Sequence, residues 1–91
     1  MSTEPDPVVR DAREQISAAD RSIFEAVNRR IEIVAELKRY KAAHGIDFSD
    51  PQRESQMIDA LVAENEGPLS DEGLRALYAE LLALTKREVG G

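Results

Sequence analysis

The sequence predicts an all-α chain of one long and two shorter helices, with a second chain packed on the long one. Three observations carry this. The stretch from Val8 to His44 holds neither Gly nor Pro, and is bracketed by Pro5 and Pro7 before it and Gly45 after it. Apolar residues recur along the chain at helical spacing, and no stretch alternates as a strand does. The first helix is also too long for one small domain. At 1.5 Å per residue, about 36 residues span roughly 54 Å, whereas a compact chain of this size is roughly 30 Å across. Its apolar stripe stays wet unless a second chain covers it.

Taken in order, residues 1–7 are polar, contain two prolines and read as a disordered tail, leaving 8–91 as a single helical domain. The long helix carries a heptad seam: Val9, Arg13, Ile16, Asp20, Ile23, Val27, Arg30, Val34, Leu37 and Lys41. Gly45 closes it as a left-handed cap, and His44 at its end reads as a cation complementing the helix dipole or as a surface residue. Ile46 to Ser49 is a loop. Asp50 then caps a second helix with Pro51 at its first position. Arg53, Met57, Ile58, Leu61 and Val62 mark its inner face as far as about Glu66, and Gly67-Pro68 stops it. Ser70 caps the third helix, with Leu69 and Leu74 placed as a hydrophobic staple and Gly73 weakening the first turn. Leu74, Leu77, Tyr78, Leu81, Leu84, Thr85 and Val89 form its inward face before Gly90-Gly91.

Composition removes several functions. The 91 residues allow one small domain with little core of its own. There is no cysteine, hence no disulfide framework or thiolate chemistry, which suits a cytoplasmic location. No apolar run is long enough to span a bilayer, and no leader is visible. A net charge of −6 opposes nucleic acid and anionic membrane as partners. A single histidine excludes a multi-histidine metal site, and no cofactor is implied.

The informative anomaly is the charge in the seam. Arg13, Asp20, Arg30 and Lys41 share the apolar stripe, and an unpaired charge buried there costs several kcal/mol. Three of these four are cations in an acidic chain. Arg30 and Lys41 lie about 16 Å apart on the helix axis, so two long side chains can grip a small anion between them. Arg13 is about 25 Å from Arg30 and cannot reach the same ligand from the same helix. An antiparallel two-fold dimer supplies it from the neighbour if the axis passes near about residue 24, and the helix midpoint is near about residue 25. Arg53 and the backbone N–H groups at the start of the second helix add donors. Several cations imply a ligand with two or more negative charges, and arginine forks favour planar carboxylates. Nucleophiles and metal-ligand clusters are missing from this set. Any chemistry therefore works by orientation and electrostatics.

Ala12-Arg13-Glu14-Gln15-Ile16-Ser17-Ala18-Ala19-Asp20, Asn28-Arg29-Arg30, Lys38-Arg39-Tyr40-Lys41 and Asp50-Pro51-Gln52-Arg53-Glu54 together resemble the all-helical chorismate mutases, over about residues 10–88. The resemblance implies an intertwined homodimer that isomerises chorismate to prephenate in the shikimate pathway of aromatic amino acid biosynthesis. It implies that Arg13, lent by the partner chain, and Arg30 bind the two substrate carboxylates. Lys41 matches the lysine that contacts the ether oxygen and a carboxylate. Asp50, through its main chain, and Glu54 match groups around the substrate hydroxyl. Arg53 matches a basic residue of the pocket wall, and Thr85 a small hydroxyl residue that helps hold the substrate. Val89 departs from the pattern: the family usually has Gln or Glu there, donating a second hydrogen bond to the ether oxygen. Some mutases of this class are poor alone and are activated by complexing with the first enzyme of the shikimate pathway, which makes that enzyme an expected partner. Similar folds also serve a mutase of the amino analogue of chorismate and an isochorismate-pyruvate lyase. Glu54 beside the hydroxyl favours the hydroxyl substrate. A non-enzymatic helical regulatory module is the alternative from another class.

Overall fold

The computed structural model describes residues 6–90. It contains three helices, α1 (Pro7–Ala43), α2 (Pro51–Glu64) and α3 (Asp71–Glu88), and no strand among the described residues. No helix is long and apolar enough to cross a membrane among those residues. The chain divides into two units, residues 1–30 and residues 31–91.

The first unit holds the N-terminal part of α1. Its helix starts at Pro7, inside the stretch expected to be a tail. Asp6 is the reason: its Oδ1 accepts from Val8 N–H at 2.7 Å and its carbonyl accepts from Arg10 N–H at 2.9 Å. Asp6-Pro7 is therefore the same cap-and-proline signal as Asp50-Pro51. Hidden by its position among polar residues, it sets the helix start one residue early. Ile16 and Ile23 on the seam are 59% and 56% exposed, and Phe24 beside it is 66% exposed, so this part of the seam is uncovered within the chain.

The second unit holds the end of α1 together with α2 and α3. Gly45 has φ +65°, and Ile46 N–H reaches back to the Lys41 carbonyl at 2.8 Å, which closes α1 as a Schellman turn. Asp50 Oδ1 accepts from Arg53 N–H at 3.1 Å and opens α2 as expected. Asn65 ends it: its amide donates to the Leu69 carbonyl at 2.7 Å and its Oδ1 accepts from Gly67 N–H at 3.2 Å. This places the helix end at Glu64, slightly before the expected Glu66. Ser70 Oγ accepts from Gly73 N–H at 2.9 Å and opens α3.

Gly73 is more than a weak helix former. A Cβ there would lie 3.0 Å from Ser70 Oγ and 3.1 Å from Leu69 Cδ1, so glycine is what lets the cap and Leu69 close over the first turn.

Helices α2 and α3 pack on each other. Met57, Ile58, Leu61 and Val62 are half-buried, as are Leu74, Tyr78, Leu81, Leu82 and Leu84. Arg75 pairs with Asp59 at 3.2 Å across the outside of the same contact. Leu77 does not join the inner face. It is 64% exposed at the edge of an apolar groove shared with Leu61, Leu74, Tyr78 and Leu81. Two helices cover one side of each other and leave a third wall open, so a residue about 60° round from Leu74 stays in water.

Among the described residues no apolar side chain is buried, and only Thr85 is, at 3% exposure.

Replacing Gly45 with Ala should cost about 1 kcal/mol, because the left-handed backbone and not a lack of space is what excludes a side chain there. Gly45→Asn should cost less. Urea denaturation of the three proteins at one concentration measures both.

Candidate active site

The seam cations differ in their surroundings. In the first unit Arg13 is exposed, while Arg30 is half-buried. In the second unit Lys41 is half-buried on α1, in the last turn before the Schellman closure. Its own carbonyl accepts from Ile46 N–H, which fixes the helix end next to it.

The start of α2 is a poorer anion cradle than expected. Pro51 brings no N–H. Those of Arg53 and Glu54 are already taken, by Asp50 Oδ1 and by the Asp50 carbonyl at 3.1 Å. The carboxylate of Asp50 serves as the cap, which agrees with a main-chain role for this residue toward any ligand.

Arg53 departs from the position expected of it, and Glu54 does not. Arg53, expected to face inward with Met57, is exposed. Glu54 is half-buried and its Oε1 lies 3.4 Å from Lys86 Nζ on α3. Glu54 shares its helix face with Ile58 and Leu61, four and seven residues on, so in the first turn it is Glu54 that meets α3. The sequence pattern does not single out Lys86. Its signal is present but weak: a cation in the last turn of α3, next to Thr85.

Thr85 is enclosed, and its hydroxyl donates to the Leu81 carbonyl one turn back at 2.7 Å. Val89 is the C-cap residue of α3 and half-buried. Its carbonyl accepts from Lys38 Nζ at 3.0 Å, and that ammonium also stands 5.7 Å from the centroid of the Phe48 ring. In the sequence Lys38 reads only as one of several cations in the second half of α1. Its one clue is its place on α1, three residues before Lys41. His44 is exposed, stacks on Tyr40 with ring centroids 4.0 Å apart, and places Nδ1 2.8 Å from the Tyr40 carbonyl. It belongs to the helix end and not to the candidate site.

The second unit thus holds Lys41, Glu54, Thr85 and Val89 on three helices, and Lys86 ties α2 to α3 while Lys38 ties α1 to the end of α3. It contributes cations, one paired carboxylate and an enclosed hydroxyl. Such a set can bind and orient an anion.

The three-helix fold is that of an all-helical enzyme family. The chain belongs to the chorismate mutase type II family, whose profile matches residues 12–89. It is similar to the chorismate mutase of Thermus thermophilus in two structures. Form I is 31% identical with a TM-score of 0.82, covering 85% of this chain and 96% of that one. Form II is 30% identical with a TM-score of 0.83, covering 87% and 90%. The chain is also 32% identical over 65 residues to the T-protein of Haemophilus influenzae, a stretch that is 69% of this chain. It spans only 17% of that protein's length.

Because Lys86 and Glu54 keep 50% and 31% of their side chains exposed, their pairing should orient more than it stabilises. A double-mutant cycle over Lys86→Met and Glu54→Gln should give a coupling in unfolding free energy below about 1 kcal/mol. A coupling of several kcal/mol would show the pair to be far better desolvated than its exposure indicates.

Proposed function

We propose that the chain converts chorismate to prephenate in two sites of a homodimer, each completed by the neighbour's Arg13. The observation that carries this is the family match over residues 12–89, which spans every candidate residue from Arg13 to Val89. Exposed apolar surface supports the dimer: Ile16, Ile23 and Leu37 on the seam, and Leu77 on α3, are large, apolar and exposed in the single chain. The substrate follows from the cations and from the family together. It is a small dianion with two carboxylates, which Arg13 and Arg30 bind as planar forks.

The reaction is an intramolecular rearrangement. The ether C–O bond breaks as a C–C bond forms, and no proton, metal or covalent intermediate takes part. Binding holds the flexible dianion in a chair-like fold, and a donor aimed at the ether oxygen stabilises charge as the bond stretches. Lys41 is that donor. Glu54, held by Lys86, takes the substrate hydroxyl together with the Asp50 main chain, and Thr85 helps to enclose the ligand. Arg53 forms part of the pocket wall only when ligand or partner draws it in from solvent. We place the reaction in the cytoplasm, in keeping with the lack of cysteine.

Mixing experiments test the shared site. Arg13→Ala and Arg30→Ala should each abolish loss of chorismate absorbance above the spontaneous rate. After subunit exchange, a mixture of the two should regain activity, because one of the two sites in each mixed dimer is intact. No recovery despite demonstrated exchange would mean that each site lies within one chain.

Val89 sets the second expectation. An apolar side chain leaves one lone pair of the ether oxygen without a donor, a loss on the order of a few hundredfold in rate. Val89→Gln should raise kcat of the isolated enzyme. Complex formation with the first enzyme of the shikimate pathway from the same source should raise kcat/KM of the wild type and of Val89→Gln. Steady-state kinetics of both proteins, with and without that enzyme, separate the missing donor from a reordered helix end. Wild-type activity that neither change improves would show that Val89 limits nothing.

A further inference from the structure

A helix ends on carbonyls that its own backbone cannot satisfy, and its C-terminus carries partial negative charge. At the end of α3, Val89 N–H bonds back to the Thr85 carbonyl at 3.0 Å and Gly90 N–H to the Arg87 carbonyl at 3.2 Å. Gly90 then turns with φ +85°. The Val89 carbonyl is met from another helix. Lys38, 51 residues earlier, donates to it at 3.0 Å with a partly buried ammonium. The same ammonium faces the Phe48 ring in the loop between α1 and α2.

One cation therefore joins three pieces of backbone. They are the last turns of α1, which carry Lys41, the loop that leads to Asp50, and the final turn of α3, which carries Thr85 and Val89. None of the neighbouring ties does this. Lys86–Glu54 and Arg75–Asp59 both join α2 to α3 and leave α1 out.

We infer that Lys38 is a positioning residue: by holding the Val89 carbonyl it fixes the end of α3 against α1 and so sets the distance between Lys41 and the Thr85–Val89 turn. It does not touch the substrate. The inference rests on the mutase reading for its catalytic consequence, but the clamp itself is a property of the folded chain. Position matters here because catalysis by orientation is sensitive to small displacements of the groups that surround the ligand. A charged donor on a single carbonyl is worth roughly tenfold or more in the local opening equilibrium.

The test compares the full-length wild type with Lys38→Met and Lys38→Arg. Methionine keeps most of the length and loses the donor, whereas arginine keeps a donor. Amide hydrogen exchange is followed by mass spectrometry in a peptide covering the end of α3 and in one covering the middle of α2. Lys38→Met should exchange about tenfold faster at residues 86–90, with α2 unchanged, and Lys38→Arg should restore slow exchange. In the chorismate assay, kcat of Lys38→Met should fall about tenfold while KM moves little, again with rescue by arginine. Unchanged exchange at the end of α3 in Lys38→Met would overturn the clamp. So would faster exchange in both peptides that arginine does not reverse, since that is general loosening. A wild type that does not turn over chorismate would sink the mutase reading alone, and the exchange data would still decide whether Lys38 holds the helix end.

Discussion

Burial of apolar side chains normally does most to stabilise a fold, and in this chain of three amphipathic helices none is fully buried among the described residues. Fully burying one Leu or Ile contributes about 1.5–3 kcal/mol, and here the contacts between α2 and α3 realise only part of that for each residue. Everything else follows from this shortage. The exposed Ile16, Ile23 and Phe24 on α1 and the open groove beside Leu77 are apolar surface that water disfavours. A second copy of the chain, as proposed, removes that surface from water, and a site assembled from two copies is then a natural consequence of the way the core is completed.

With little core, helix ends are fixed by local polar chemistry. Asp6 and Asp50 each present a carboxylate to the first turn of a helix that begins with proline, and Ser70 presents its hydroxyl to α3 with glycine three residues on. The Ile46 N–H, turned back by Gly45, and the Asn65 N–H end α1 and α2 by satisfying the Lys41 and Leu61 carbonyls. Each contributes on the order of 1 kcal/mol, modest alone but decisive for where a helix stops. The stops matter for the proposed site because Lys41, Glu54 and Val89 all lie within one turn of a helix end.

The ion pairs Lys86–Glu54 and Arg75–Asp59 between helices are partly exposed, so their weight is in geometry. Lys86 draws Glu54 toward α3, and Lys38 draws the end of α3 toward α1. Neither lysine was singled out by the sequence as a contact between helices. Their long stems let the ammonium cross between elements while the helix that carries them keeps its own register.

The three helices, their caps at Asp50 and Ser70, the Gly45 turn and the cationic seam were all legible from residue order alone. They depend on periodicity, cap chemistry and backbone preference, which act within a few residues. Charge placement pointed to Arg13, Arg30, Lys41 and Arg53 as candidates, and only family resemblance added the roles expected of Asp50, Glu54, Thr85 and Val89. What residue order could not settle was orientation across elements. Arg53 and Leu77 turn to solvent, Glu54 turns to Lys86, and Lys38 finds a carbonyl 51 residues away. Those outcomes depend on how the helices approach one another, and neighbours in space need not be neighbours in sequence. The same limit hid the early start of α1: Asp6-Pro7 carries the cap signal, but only the formed helix distinguishes a cap from one more polar residue in a tail.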